Sequence, residues 1–189
     1  VRKMPDDVVV FSANGYMVNI KCGMSEFNIL GTDPEEFPEL PSVEAQSHIC
    51  IGQTTMRSMI AQPLFAVSDN ESRPIHTGSL FDVDPTGLTV VSVDGYRLAL
   101  RRFFPEQSTE RVVKFVVPAA ALKEVEKILT DSDENVTFSL SPKHILYQIG
   151  SATLICRLLD GEFLDWRRVV PTNCPVKLCT HVSDLAASI

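Results

Sequence analysis

The chain has 189 residues, of which 44% are hydrophobic and 22% charged, and its formal net charge is −7. This composition is typical of a globular protein, and no apolar run approaches the roughly 20 residues that a membrane-spanning helix needs. The acidic balance disfavours a protein that grips nucleic acid over a broad basic face, because phosphate binding needs clustered Lys and Arg. Five cysteines without paired spacing predict a reducing, cytoplasmic environment.

The first predicted elements recur near the end of the chain. Residues 11–37 and 138–163 both predict three short strands joined by turns. Four identities lie at a constant offset of 127 residues, namely Phe11 with Phe138, Ser12 with Ser139, Gly23 with Gly150 and Asp33 with Asp160. Because these identities are few, chance similarity is the alternative to a true repeat.

A true repeat predicts a domain of about 127 residues that occurs more than once. Residues 1–42 are then the second half of a first domain, residues 43–171 a complete second domain and residues 172–189 the start of a third. The Pro-rich stretches "EEFPELP" and "VVPTNCP" fall at the two boundaries. The chain is therefore expected to belong to a longer protein.

Strands and helices alternate within the predicted complete domain. "AQSHICI" predicts a strand, and residues 54–67 predict a helix that Pro63 bends. The apolar face of that helix comprises Met56, Met59, Ile60, Leu64 and Val67. Gly78 to Val83 and Leu88 to Val93 predict strands on either side of the turn "DPTG", and Asp94-Gly95 predicts a two-residue hairpin turn after them.

The second half of this domain repeats the same order. "VVKFVVP" predicts a strand, and Pro118 predicts the start of a helix. The apolar face of this helix comprises Leu122, Val125, Ile128 and Leu129. Strand, helix and strands thus occur twice, which predicts an α+β fold with mostly antiparallel sheets.

Five stretches of the chain occur in the order and at the spacing of one known family. They are "CGMSEFNILGTDPEEFPEL", "RPIHTGSLFDVD", "LTVVSVDGYRLALRR", "VVPAAALKEVEKIL" and "LICRLLDGEFLDWRRVVP". Together they resemble the bacterial sliding clamps, the beta subunits of DNA polymerase III. The resemblance covers essentially the whole chain and implies the DNA-clamp fold, with repeated domains of antiparallel sheets and two helices on the inner face.

The resemblance also implies a function. A clamp is a processivity factor without a catalytic site, cofactor or metal, and its full-length form is a homodimeric ring around double-stranded DNA. Its expected partners are the alpha subunit of DNA polymerase III, the clamp loader and repair polymerases, which bind through short linear motifs, and no membrane is involved. A clamp paralogue that binds partners without encircling DNA is the alternative within the family.

The family binds partner peptides in a hydrophobic cleft, and the resemblance carries this role to nine positions. They are His76, Val93, Gly95, Tyr96, Arg97, Leu98, Leu164, Arg168 and Val169. The family commonly has leucine, histidine and proline where this chain has His76, Tyr96 and Leu164, so the preferred peptide is open.

The residues themselves leave alternatives to this cleft. A plain hairpin would direct every second side chain, namely Tyr96, Leu98 and Leu100, into the core and leave Arg97 in solvent. Arg168 would pair with Asp165 or Asp160 at a domain boundary, which is compatible with lining a cleft.

For DNA, the resemblance implies a loop and two inward-facing helices. The matching loop residues are Asn70, Arg73, Pro74 and Ile75, and the helix residues are Arg57, Lys123 and Lys127. Lys123 and Lys127 lie one turn apart, as phosphate contacts would, but Glu124 and Glu126 dilute their charge. An ordinary solvated helix face is the alternative.

Catalytic and metal-binding hypotheses have little support in the sequence. Cys174, Cys179 and His181 form a C-x4-C-x-H pattern that lacks the usual zinc spacing and a fourth ligand, so no metal site is predicted. The competing hypothesis is a small-molecule enzyme with Asp94 as acid, Arg97 as anion binder and His76 as base. A deep, closed pocket beside His76 would favour the enzyme, and a shallow open groove would favour the clamp.

Overall fold

The computed structural model describes residues 3–4, 7–37, 47–105 and 112–189. The chain divides into two compact units, Val1–Ser42 and Val43–Ile189. In the described part of the chain, no helix has the length and apolar character required to cross a bilayer.

The smaller unit contains one antiparallel sheet of three strands in the order β1-β2-β3. The strands are β1 (Val9–Asn14), β2 (Met17–Cys22) and β3 (Ser25–Leu30), followed by a short 3-10 helix over Pro34–Glu36. Asp33 caps that helix by accepting a hydrogen bond from the Glu35 N–H at 2.9 Å.

The larger unit contains two four-stranded antiparallel sheets and two main helices. The first sheet has the order β7-β6-β5-β8 and consists of β5 (Gly78–Asp84), β6 (Gly87–Val93), β7 (Leu98–Phe103) and β8 (Val113–Pro118). The second has the order β11-β10-β9-β4 and consists of β4 (Ser47–Gly52), β9 (Asn135–Leu140), β10 (His144–Ile149) and β11 (Ala152–Arg157). The helices are α1 (Gln53–Leu64), α2 (Ala119–Ile128) and the shorter α3 (Trp166–Val169) and α4 (Val182–Ser188). The predicted α+β class with antiparallel sheets is confirmed.

The two copies of the predicted repeat form the same hairpin. Met17 pairs with Leu30 in β2 and β3, and His144 pairs with Arg157 in β10 and β11, so the register is the same in both copies. The turns match as well, because Gly23 and Gly150 have φ angles of 55° and 56°. This left-handed conformation favours glycine, which explains why glycine recurs at this offset.

One buried cluster joins residues from both sheets and both main helices. Met56, Met59, Ile60 and Leu64 of α1 are buried as predicted, and Leu122 and Val125 of α2 face the same cluster. Pro63 lies in the last turn of α1, which ends at Leu64, so Val67 packs against the cluster from beyond the helix.

Two details of the predicted elements are wrong. Ile128, predicted on the apolar face of α2, is 38% exposed, whereas Leu129, predicted on the same face, is buried just beyond the helix. Leu100 is 39% exposed, because β7 is an edge strand whose central residues face solvent. The predicted helix start is confirmed, because Pro118 is the last residue of β8 and the N-cap of α2.

Candidate functional site

The turn between β6 and β7 presents a polar loop at the end of a buried strand. Val93 and Leu98 form the last strand pair, so the connection runs from Asp94 to Arg97. One Asp94 carboxylate oxygen accepts hydrogen bonds from the backbone N–H groups of Tyr96 at 3.0 Å and Arg97 at 3.1 Å. The turn is therefore centred on Gly95 and Tyr96, one residue later than predicted, and Asp94 caps it.

The electrostatics of Asp94 agree with this capping role. The Tyr96 N–H above all, together with the N–H groups and guanidinium of Arg97, keeps the pKa of Asp94 below its usual value. Gly95 has a φ of 93°, which a residue with a side chain would adopt only under strain. Asp94 and Gly95 thus determine the backbone conformation of the turn.

The side chains after the cap are displayed to solvent rather than buried. Tyr96 is fully exposed, so the alternative in which it enters the core is wrong. Arg97 donates from Nε to the Asp94 carboxylate at 2.8 Å, and its guanidinium carbon lies 5.5 Å from the ring centroid of Phe65.

A second apolar cluster lies beside this turn and joins four segments of the chain. Its buried members are Leu80, Val91, Val116 and Trp166, and Ile75, Leu98, Leu159, Phe163, Leu164 and Val170 pack against it. The predicted cleft residues Leu98 and Leu164 therefore share one cluster. His76 contacts its edge, because its ring meets the Phe163 ring in an edge-to-face arrangement with centroids 5.3 Å apart.

Partial burial affects the charge of His76. Desolvation, and secondly the nearby Arg73 guanidinium, lower the pKa of His76 below its ordinary value. The neutral ring therefore predominates at pH 7, where it forms an aromatic surface beside Phe163.

The segment carrying Arg168 and Val169 is attached to the sheet by a buried carboxylate that sequence reasoning missed. Asp82, in the middle of β5, is 1% exposed and accepts hydrogen bonds from Trp166 Nε1 at 3.0 Å and Arg167 Nη1 at 2.6 Å. Arg167 also donates to Asp84 at 3.2 Å. An acidic residue among the apolar residues Leu80, Phe81 and Val83 was the sequence feature that pointed to Asp82.

Arg168 and Val169 themselves remain accessible. Arg168 Nε lies 3.1 Å from an Asp165 carboxylate oxygen, so the predicted ion pair with Asp165 is confirmed, and the Arg168 side chain is 87% exposed. Val169 is 54% exposed. Although Arg168 is paired, its exposed side chain can still contact a partner.

A large groove in the same unit opens beside the second cluster, and its lining includes Leu80, Val116, Leu159, Phe163, Leu164 and Trp166 of that cluster. A volume of about 700 Å³ is lined by β8, the β9–β10 turn and residues 157–166, and Leu164 is the only predicted cleft residue in its lining. Its charged residues are mixed in sign, with Lys114, Lys143 and Arg157 beside Asp160, Glu162 and Asp165. The second cluster therefore borders both this groove and the β6–β7 turn, and the exposed side chains Tyr96 and Arg97 lie on the side of the turn.

The predicted DNA-contacting helix residues come together between α1 and α2. Arg57, Lys123 and Lys127 line a groove of about 520 Å³ with Glu124 and Glu126. Arg57 pairs with Asp131 at 2.8 Å and Lys127 with Glu124 at 2.7 Å. Within the described residues, Lys123 forms no ion pair.

The predicted DNA loop is compact and locally hydrogen-bonded. The Asn70 side chain accepts from the Ser72 N–H at 3.0 Å, and Pro74 starts a 3-10 helix over Pro74–Thr77. Ile75 packs against the second cluster, so its side chain is committed to the protein interior. Asn70, Arg73 and Pro74 are the exposed members of the loop.

A sequence model of the DNA polymerase III beta subunit, central domain, matches residues 50–165. The chain belongs to this clamp family. The family predicted from the five sequence stretches is therefore confirmed.

Individual clamps support the same assignment. The beta sliding clamp of Staphylococcus epidermidis is 34% identical to the chain over 100% of the chain and 50% of its own length. That of Staphylococcus aureus is also 34% identical, over 94% of the chain and 47% of its own length. The chain thus spans about half the length of these relatives.

Solved clamps have the same fold. The Bacillus subtilis sliding clamp superposes with a TM-score of 0.79 at 32% identity, over 91% of this chain and 46% of the other. A Pseudomonas aeruginosa DNA polymerase III subunit beta bound to griselimycin gives 0.81 at 26% identity, over 91% and 47%. The predicted clamp fold is therefore confirmed.

Proposed function

We propose that this chain is the middle part of a ring-shaped sliding clamp that encircles double-stranded DNA and tethers the replicative polymerase. In this proposal residues 1–42 end a first domain, residues 43–171 form the second and residues 172–189 begin the third. The common register of the hairpins in the two copies supports this division. The complete protein would form a homodimer and act in the cytoplasm, where thiols persist, in keeping with Cys50, Cys156, Cys174 and Cys179, which form no disulfide.

The observation that carries the partner-binding part is the arrangement around the second apolar cluster. Leu98 and Leu164 supply apolar surface. Tyr96 and Arg97 in the β6–β7 turn and Arg168 in α3 are exposed near it. Apolar anchors surrounded by a few orienting polar groups are typical of peptide-binding clefts. We assign this surface to short linear motifs of the polymerase alpha subunit, the clamp loader and repair polymerases.

The proposed role requires no catalytic site in this chain. Asp94 pairs with Arg97, whereas His76 contacts Phe163, and neither groove described above is lined by any of these three polar residues. The geometry of these groups favours an open recognition surface over the enzyme hypothesis.

Topological retention on DNA tests the ring. The full-length protein, loaded onto a nicked circular duplex, is expected to stay bound through gel filtration at high salt and to be lost when the circle is linearised. Sedimentation should give a dimer. Equal retention on circular and linear DNA would contradict encirclement and favour a clamp paralogue that only binds partners.

Peptide binding tests the cleft. A short peptide in which glutamine precedes leucine and phenylalanine anchors is expected to bind the full-length protein. Arg168→Ala should weaken binding, whereas Lys143→Ala, in the lining of the large groove, should not. The opposite ranking would move the peptide site to the large groove.

A further inference from the structure

Phe65 lies at a position that no part of the predicted cleft includes. It follows the last residue of α1 and is 62% exposed. The Arg97 guanidinium carbon lies 5.5 Å from its ring centroid, within the range of a cation–π interaction. The exposed Phe65 ring therefore contacts the Arg97 guanidinium.

Arg97 is restrained from a second side by Asp94. The carboxylate accepts from Arg97 Nε at 2.8 Å and is itself fixed by the Tyr96 and Arg97 backbone N–H groups. Within the described residues, the terminal nitrogens of Arg97 make no hydrogen bond, and its side chain is 56% exposed. These nitrogens are hydrogen-bond donors that a ligand could use.

We propose that Phe65 is a positioning residue of the partner-binding cleft. Its ring and the Asp94 carboxylate hold the Arg97 guanidinium in one orientation, so that the terminal nitrogens donate to an acceptor oxygen of the bound peptide. The inference rests on the proposed function and deepens it. A flexible arginine loses rotamer freedom when it binds, and restraining it beforehand reduces that loss.

The first arm of the test measures the order of Arg97 directly, without a ligand. In ¹⁵N TROSY spectra, the Arg97 Nε–Hε signal, assigned by its loss in Arg97→Lys, is compared between the wild type and Phe65→Leu. The variant is expected to fold normally, because Phe65 is mostly exposed. The signal should shift as the ring current disappears, and its heteronuclear NOE should fall toward that of Arg101, an exposed arginine of β7.

The second arm measures peptide affinity in a double-mutant cycle. Phe65→Leu should weaken binding of the peptide by about two- to fivefold. Phe65→Tyr, which keeps an aromatic ring, should bind the peptide as the wild type does. In an Arg97→Ala background, Phe65→Leu should have no further effect. Equal weakening in both backgrounds would overturn the positioning role.

A matched control is available in the same unit. Phe104 is 63% exposed and lies under Arg102, with the guanidinium carbon 4.8 Å from the ring centroid. Phe104→Leu removes a comparable ring–arginine contact outside the cleft and should leave peptide affinity unchanged. Equal weakening by Phe104→Leu would overturn the inference, because it would indicate a general effect of lost surface aromatics.

The two arms separate this inference from the proposed function. If Arg97→Ala weakens binding while the Arg97 signal is the same in Phe65→Leu and wild type, the inference fails and the cleft stands. If the signal responds but neither Arg97→Ala nor Arg168→Ala changes affinity, the assigned cleft is wrong and the role of Phe65 in recognition falls with it.

Discussion

The β6–β7 turn and the α1–α2 groove both place basic side chains next to carboxylates, but the pairs have different consequences. At the turn, Asp94 caps the backbone as well as binding Arg97, so the ion pair orients the arginine. In the groove, Glu124 binds Lys127 through side chains that are both more than half exposed, so the pair mainly reduces local charge. Peptide recognition benefits from fixed geometry, whereas sequence-independent contact with DNA needs only modest charge.

The largest expected effect on stability concerns the attachment of the α3 segment. Asp82→Ala should lower the free energy of unfolding of the larger unit by about 2 kcal/mol, because it leaves the buried Trp166 Nε1 without its acceptor and Arg167 with Asp84 alone. Urea unfolding followed by fluorescence of Trp166, the only tryptophan, measures it. Asp84→Ala is the control, with a smaller loss because Asp84 is 20% exposed; equal losses would contradict this account.

The next effect tests which residues of β7 face the cleft. Leu98→Ala should weaken peptide binding by about 2 kcal/mol, or roughly thirtyfold, because Leu98 packs against the second cluster. Leu100→Ala, two residues along the strand and 39% exposed, should change affinity less than twofold. Titration of a labelled peptide measures both, and similar losses would show that the cleft is not fixed at Leu98.

A smaller effect is expected in the α1–α2 groove. Lys123→Ala should reduce the salt dependence of DNA binding by about one unit of slope, because Lys123 forms no ion pair within the described residues. Lys127→Ala should reduce it less, since Glu124 already neutralises Lys127. Fluorescence anisotropy over a salt series measures the slopes. Equal slopes for both variants would show that the Glu124 pair does not persist on DNA.

The smallest effect is the pH dependence caused by His76. Its folded pKa is lowered from 6.5, so the unfolded chain binds the proton more readily. The contribution of His76 to stability is therefore complete above pH 6.5 and decreases as the pH falls toward the folded pKa. His76→Leu should reduce this loss in urea unfolding between pH 7 and 5. An unchanged profile would assign the pH dependence to other groups.

The periodic parts of the fold were predictable from sequence. Met56, Met59 and Ile60 recur at helical spacing, and Gly23 and Gly150 recur at the repeat offset, so local rules apply to both. The exposure of Leu100 was not predictable, because alternation along a strand does not say which face of an edge strand is covered.

The candidate site was predictable through the family resemblance more than through its own pattern. The turn centre was misplaced by one residue because the Asp94 side chain replaces a backbone turn contact. Asp82 and Phe65 were missed because their partners, Arg167 and Arg97, are distant in the sequence. Such contacts arise only once the sheets and helices pack.

The ion pairs of the α1–α2 groove also bear on motion. Asp131 and Glu124 act as built-in counterions for Arg57 and Lys127. A duplex that passes such a surface exchanges few strong phosphate contacts at each step, so the barrier between neighbouring positions stays low. In the proposed ring, these carboxylates would reduce the friction of sliding, and removing them would slow diffusion along DNA even as affinity rises.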